Sequence, residues 1–217
     1  MTKLPKPKAI LFDWDNTLVD TWPTIHRSLN VTLRYMQHPE WSLEKVKTNV
    51  KKSMRDSFPE MFGDRWEDAA KHYQQSYRAI HLDDLQPLPD AEDMLRAIPE
   101  NIFTAVVSNK RGPTLREELT HMGWDEFFDI AIGSDDAVRD KPHPDPAHLA
   151  LESFGPCGPE VWFIGDTIID LECAEASGAT PILYGDHATK DNVYDGFGFA
   201  AQVKDQRELK GLILKNL

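Results

Sequence analysis

Residues 9–17 read AILFDWDNT, an apolar run followed at once by two aspartates that stand two positions apart. The run Ala9–Phe12 contains no polar residue, which is typical of a parallel strand with both faces covered. Such a strand delivers Asp13 and Asp15 to its carboxyl end, where open α/β sheets place their ligands. This segment therefore predicts an α/β core with an acidic site at one edge of its sheet.

The rest of the core is predicted from the alternation of short apolar runs and helical segments in the second half of the chain. Strands are expected at residues 102–107, 128–132, 161–164 and 181–184. Helices are expected at residues 113–122, 144–154, 167–177 and 206–214. This alternation favours a parallel sheet that is covered by helices on both faces.

A different pattern occupies the stretch from about residue 22 to residue 86. Its apolar residues recur at helical spacing, as at Ile25, Leu29, Leu33 and Met36, and no convincing buried strand interrupts them. We therefore expect a helical insertion behind the first strand. The expected domains are a discontinuous core of residues 1–20 and 88–217 and a helical domain of residues 21–87.

Composition limits the classes of partner. The chain has 217 residues, 41% hydrophobic and 28% charged, which is ordinary for a soluble globular protein. Its formal net charge of −12 argues against a general attraction to nucleic acid or to an anionic membrane. Two cysteines, no apolar leader and no long apolar run predict a cytoplasmic protein with free thiols. The sequence leaves the oligomeric state open.

Three further signatures follow other predicted strands and complete a phosphoryl-transfer chemistry. They are Ser108-Asn109, Lys141-Pro142, and Gly165-Asp166 with Asp170 one helical turn on. A phosphate ester is negatively charged, so its cleavage needs charge neutralisation, an in-line nucleophile and an acid for the leaving oxygen. Asp13 is the candidate nucleophile, and Asp15 the candidate general acid and base.

The remaining residue types suit the charge of the transferred group. Asp13, Asp166 and Asp170 would repel one another unless a cation lay among them, and hard carboxylate oxygens suit Mg²⁺. Lys141 would neutralise phosphoryl charge, and the Ser108 hydroxyl would bind a phosphoryl oxygen. Each signature alone is weak, but together they would meet along one edge of the sheet.

At these residues the chain resembles the haloacid dehalogenase superfamily, in the branch that contains phosphoglycolate phosphatase. The resemblance implies a Rossmann-like core with a five-stranded parallel sheet and an inserted helical cap. It assigns the nucleophile and a Mg²⁺ ligand to Asp13, and the acid/base role to Asp15, whose backbone carbonyl would also bind the metal. It further implies phosphoryl binding by Thr17, Ser108 and Asn109, charge balance by Lys141, and metal binding by Asp166 and, directly or through water, Asp170. The motif usually has glycine where this chain has Asn16, and asparagine also tolerates left-handed geometry.

The activity expected on these grounds is Mg²⁺-dependent hydrolysis of a small phosphorylated metabolite through an aspartyl-phosphate on Asp13. Arg55, in a basic stretch of the insertion, is the candidate contact for a second anionic group of the substrate. Three alternatives stay open: a phosphosugar mutase of the β-phosphoglucomutase type, a receiver-like phosphoacceptor module, and a non-catalytic relative. The long insertion and the Asp13-x-Asp15 order argue against the receiver.

Overall fold

The computed structural model describes residues 4–50, 52–185 and 198–217. Two compact units divide the chain: Met1–Val19 together with Pro87–Leu217, and Asp20–Gln86. We call the first the core unit and the second the helical unit. That the helical unit acts as a cap stays a prediction.

Eight strands occur in the described part of the chain: β1 (Ala9–Phe12), β2 (Val19–Asp20), β3 (Gln86–Pro87), β4 (Phe103–Arg111), β5 (Ile130–Ser134), β6 (Val161–Gly165), β7 (Thr180–Tyr184) and β8 (Ala201–Val203). Six of them form one sheet in the order β5-β4-β1-β6-β7-β8, and every pairing in it is parallel. The predicted Rossmann-like α/β class is confirmed. The sheet has one strand more than expected, because the short strand β8 pairs with the edge strand β7.

The described helices are α1 (Trp22–Tyr35), α2 (Leu43–Asn49), α3 (Met54–Phe62), α4 (Trp66–Arg78), α5 (His81–Asp84), α6 (Ala91–Leu95), α7 (Gly112–His121), α8 (Asp145–Ala150), α9 (Ile168–Ser177) and α10 (Gln206–Asn216). Two short 3-10 helices add to them, Gly63–Arg65 and Asp125–Phe127. No helix among the residues that the structure describes is long and apolar enough to cross a membrane.

Strand β1 lies in the middle of the sheet, between β4 and β6, and all four of its residues are fully buried. Its register places Phe12 beside Val106 of β4 and Ile164 of β6. Strands β1 and β6 therefore end at about the same height, because they are parallel and in register, whereas β4 continues past them to Arg111. Residues that follow them are brought together there, which is the arrangement that the motifs predicted.

Two elements of the core end four residues away from their expected ends. Strand β4 extends to Arg111, four residues past the expected end, and its pairing with β5 shifts register between Val107 and Arg111. Ser108 and Asn109 thus lie in the irregular end of a strand, not behind it. Helix α8 ends at Ala150 instead of residue 154, because the backbone N–H groups of Glu152 and Phe154 donate to carbonyls only three positions earlier.

The helical unit contains α1 to α5 and has an apolar cluster of its own. Ile25, Leu29, Leu33 and Met36 of the predicted periodic stretch are buried in it, with α4 packed against α1. Its hydrophobic residues therefore serve packing within the unit. The predicted helical insertion is confirmed as a structural feature.

Candidate active site

The predicted carboxylates and Lys141 lie at the carboxyl edge of the sheet, within the core unit. Asp13 directly follows β1, and its backbone N–H donates to the carbonyl of Ile164, 2.8 Å away. Asp166 directly follows β6 and Asp170 lies in the first turn of α9. One oxygen from each of these three carboxylates lies within 4.8 Å of the others. The acidic cluster is therefore built by two adjacent strands and the helix that follows the second.

The cluster is nearly removed from water. Asp13 and Asp166 are each 6% exposed and Asp170 is 2% exposed. The Thr17 hydroxyl lies 3.4 Å from Oδ2 of Asp13 and 3.4 Å from Oδ1 of Asp166, so it bridges the two strand ends. Like charges at this spacing and burial are unfavourable unless positive charge lies among them.

Lys141 supplies one such charge. Its Nζ donates to Oδ1 of Asp13 and Oδ1 of Asp170, both at 2.7 Å, and to the carbonyl of Val107 at 2.8 Å. Burial by itself would lower the pKa of this lysine, but the charges of Asp13 and Asp170 raise it well above its ordinary value. Lys141 is therefore a fixed cation, and all three of its N–H groups are used.

One lysine does not balance three carboxylates. Burial raises the pKa of Asp13 to about 7, against the lowering effect of Lys141 and with further increases from Asp170 and Asp15. Burial also raises the pKa of Asp166 well above its usual range, with the charges of Asp13 and Asp170 adding to the effect. A divalent cation would relieve this repulsion. Because all the donors are hard oxygens, the residues present fit a metal such as Mg²⁺ or Ca²⁺.

Asp170 also caps the N-terminus of α9. Its Oδ2 accepts hydrogen bonds from the backbone N–H of Thr167 at 3.0 Å and from the Thr167 hydroxyl at 2.7 Å, while Oδ1 accepts from Lys141. Both oxygens are therefore engaged within the protein. This makes Asp170 less available to a cation than its neighbours in the cluster.

The loop after β1 is shaped by backbone bonds around Asn16. The N–H of Asn16 donates to the carbonyl of Val19 at 2.7 Å, and Asn16 has a φ of 64°, as expected for a residue that replaces glycine in a left-handed position. The side-chain amide of Gln206 donates to the carbonyl of Thr17 at 2.5 Å. These bonds fix the backbone directly after Asp15.

Ser108 and Asn109 reach the site from β4. The Ser108 hydroxyl oxygen accepts from the backbone N–H of Lys110 at 3.1 Å, which leaves its own proton available to a ligand. The Asn109 side chain instead bonds twice to the backbone of Lys141, donating to its carbonyl and accepting from its N–H, both at 3.0 Å. Its amide therefore positions Lys141, and phosphoryl binding by Asn109 stays a prediction.

Arg55 is the one predicted site residue that belongs to the helical unit. It lies in the first turn of α3, within the helical unit, and is partly buried. Its assignment to a substrate contact stays a prediction.

A second buried ion pair, which the sequence did not predict, lies beside the cluster. Lys110 Nζ donates to Oδ1 of Asp15 at 2.6 Å and to Oε2 of Glu118 at 2.5 Å. A signal for it exists in the sequence: Glu118 lies between Leu115 and Leu119, which both belong to the buried face of α7. An acid on the apolar face of a helix needs a buried partner, and a lysine stands eight positions earlier.

Comparisons with known proteins agree with this geometry. Residues 10–183 match the family model described as haloacid dehalogenase-like hydrolase. Pyrophosphatase PpaX of Bacillus pumilus is 28% identical over 171 residues, which cover 78% of this chain and 79% of that protein. Phosphoglycolate phosphatase of Pectobacterium atrosepticum is 27% identical over 192 residues, which cover 84% and 82%.

Solved structures give the same picture. A HAD-superfamily hydrolase from Ehrlichia chaffeensis is 29% identical with a TM-score of 0.65, and the alignment covers 99% of each chain. A haloacid dehalogenase-like family hydrolase from Streptococcus pneumoniae, 22% identical, has a TM-score of 0.79 over 95% of this chain and 98% of that one, which shows a shared fold.

Proposed function

We propose, since this chain belongs to the haloacid dehalogenase-like hydrolases, that it is a Mg²⁺-dependent phosphomonoesterase acting through an aspartyl-phosphate on Asp13. The family and the enzyme class predicted from the motifs, a phosphatase-type hydrolase, are confirmed by the comparisons. The observation that carries the finer proposal is the buried cluster of Asp13, Asp166 and Asp170 around Lys141. It combines a nucleophile, a place for a cation and a fixed positive charge at one sheet edge.

The proposed reaction has two steps. A carboxylate oxygen of Asp13 attacks phosphorus, the ester P–O bond breaks, and the leaving alkoxide takes the proton of Asp15. Water then attacks the phosphorus of the aspartyl-phosphate and gives a proton to Asp15, while Asp13 departs as a carboxylate and phosphate is released. The return of the proton restores Asp15 for the next cycle.

Asp13, Asp166 and the backbone carbonyl of Asp15 would hold Mg²⁺, which supplies positive charge to the phosphoryl oxygens when it is bound. The engagement of both Asp170 oxygens with Thr167 and Lys141 supports an indirect role for that residue, through water or by orienting the lysine. The Ser108 proton is placed to bind a phosphoryl oxygen, and the Thr17 hydroxyl lies between the two strand ends.

The substrate class proposed here is a small metabolite with a second anionic group. The names of two relatives, a phosphoglycolate phosphatase and a pyrophosphatase, support this class. Phosphoglycolate carries a carboxylate beside its phosphoryl group, and pyrophosphate carries a second phosphoryl group. Each compound is small enough to be held mainly by charge.

Phosphate release from p-nitrophenyl phosphate, phosphoglycolate, pyrophosphate and a panel of phosphorylated sugars tests the proposal. Activity is expected with Mg²⁺, not with EDTA, and Asp13→Asn should lower kcat by more than about 10³-fold. Asp93→Asn, which removes a carboxylate that is exposed and pairs with Lys210, is the matched control and should keep activity. Turnover that persists in Asp13→Asn would remove the aspartate from its role. Isomerisation of a phosphosugar without phosphate release would favour the mutase alternative.

A further inference from the structure

Each carboxylate of the Asp13-x-Asp15 pair has a lysine of its own. Lys141 bonds Asp13, and Lys110 bonds Asp15 at 2.6 Å. The two lysines come from different strand ends, Lys110 from β4 and Lys141 from the loop behind β5. Because each cation holds one acid, the pair is kept in two distinct directions although only Trp14 separates the acids in sequence.

Lys110 is itself held from behind. Its Nζ donates to Oε2 of Glu118 at 2.5 Å, and the same oxygen accepts from the indole N–H of Trp14 at 2.7 Å. Glu118 and Trp14 are fully buried, and the Lys110 side chain is 6% exposed. Burial by itself would lower the pKa of Lys110, but the charges of Asp15 and Glu118 raise it above its ordinary value.

A buried ion pair of this kind contributes little net free energy to folding. Desolvation of two charges often cancels their attraction, and apolar side chains of similar volume would serve packing equally well. The arrangement instead fixes the orientation of the Asp15 carboxylate. Asp15, whose side chain is 21% exposed, is the most exposed member of the network. The network therefore joins a fully buried anchor to the carboxylate that must meet the substrate.

Lys110 also reaches a second site residue through its backbone. Its N–H donates to the Ser108 hydroxyl oxygen at 3.1 Å, which directs the serine proton away from Lys110. One residue thus orients a phosphoryl-binding hydroxyl with its main chain and the acid/base carboxylate with its side chain.

We propose that Lys110, anchored by Glu118 and Trp14, is a positioning residue that fixes the Asp15 carboxylate for proton transfer to the leaving group. This inference rests on the proposed function of the site. A misplaced acid costs most when the leaving group is a strong base, because an alkoxide needs the proton and p-nitrophenolate hardly does. Loss of Lys110 should therefore discriminate between leaving groups.

Three variants separate positioning from folding. Lys110→Met leaves the Glu118 carboxylate buried without its cation, and urea denaturation will measure that penalty. The double variant Lys110→Met/Glu118→Gln removes both charges together and keeps an acceptor for Trp14, so it folds without a buried uncompensated charge. Lys110→Arg keeps the charge and tests partial rescue. Lys210→Met, which breaks an ion pair with Asp93 on the core surface, is the charge-matched control.

The readout is kcat and KM for an alkyl phosphate, β-glycerophosphate, and for p-nitrophenyl phosphate. The double variant should lose about 100-fold in kcat on the alkyl ester, and its KM should change by less than about threefold. With p-nitrophenyl phosphate, the loss of rate in the phosphorylation step should be at least about tenfold smaller than the loss on the alkyl ester. Because Asp15 also activates water, a burst of p-nitrophenolate should appear in the variants. Lys110→Arg should recover part of the loss.

Equal losses in the phosphorylation step of the two esters, a loss confined to KM, or wild-type kinetics in the double variant would each overturn the inference. These results are distinct from failure of the proposed function, in which the wild-type protein would release phosphate from neither ester. The Lys210→Met control should match the wild type on both.

Discussion

Replacement of Gly165 by alanine should disable the acidic cluster without touching a carboxylate. Gly165 is the last residue of β6, directly before Asp166, and it faces the start of α9. A Cβ at this position would lie 2.3 Å from both Cβ and Cγ of Asp170 and 2.6 Å from its Oδ2. The clash involves the root of the Asp170 side chain, so a change of rotamer does not relieve it.

The size of the displacement follows from these distances. Ordinary van der Waals contact begins at 3.4 Å, so strand and helix must separate by about 1 Å. The Asp170 side chain cannot move aside without breaking hydrogen bonds, because one of its oxygens is bonded to Lys141 and the other to Thr167. Overpacking of this kind costs about 1–3 kcal/mol of folding free energy, and a misplacement of about 1 Å costs about 100-fold in rate.

Urea denaturation and kcat as a function of Mg²⁺ concentration measure the two effects. Gly165→Ala should be destabilised, should need more Mg²⁺ for half-maximal activity, and should lose about 100-fold in kcat on p-nitrophenyl phosphate. The matched control is Gly211→Ala in α10, where an added Cβ meets nothing within 4 Å. It should be stabilised by about 1 kcal/mol at unchanged activity, because alanine is the better helix former. A Gly165→Ala protein with wild-type kcat and Mg²⁺ requirement would refute the reasoning.

Two further predictions concern charge. In EDTA the folded protein holds a proton on Asp13 up to about pH 7, whereas the unfolded chain loses that proton above the ordinary aspartate pKa of 3.8. The free energy of unfolding should therefore fall as the pH rises from 3.8 to about 7, by on the order of 4 kcal/mol. Asp13→Asn should flatten this slope in denaturation curves and Mg²⁺ should offset the loss near neutral pH, whereas a slope that Asp13→Asn leaves unchanged would assign it to other groups. Arg55→Met should raise KM for phosphoglycolate by about 10- to 100-fold and leave p-nitrophenyl phosphate unaffected. Arg65→Met, which breaks an exposed pair with Asp68 in the same unit, should leave both KM values unchanged, and an equal effect of the two variants would argue against Arg55 as a substrate contact.

The position of the acidic site followed from the chain order of its motifs. The apolar run of β1 required a covered parallel strand, and parallel strands place their carboxyl ends on one edge, so Asp13 and Asp166 were expected to be neighbours. The structure brings their carboxylates into one cluster. The helical nature of the insertion was equally visible, because its apolar residues repeat with the period of a helix.

Other features depended on distances that no local pattern contains. Strand β8 has three residues and pairs only at the sheet edge, too short for a periodic signal. The side chain of Asn109 bonds the backbone of Lys141, which is 32 positions away in the chain.

Sequence by itself determined which residue types could reach the carboxyl edge of the sheet, because apolar runs predict strands covered on both faces and parallel strands place their carboxyl ends on one edge. Tertiary packing alone decided which partner each charged group received. Lys110 meets Asp15 across 95 positions and Trp14 meets Glu118 across 104. A buried charge takes whatever counter-charge lies within bonding distance, and that distance is set only when strands and helices are packed together.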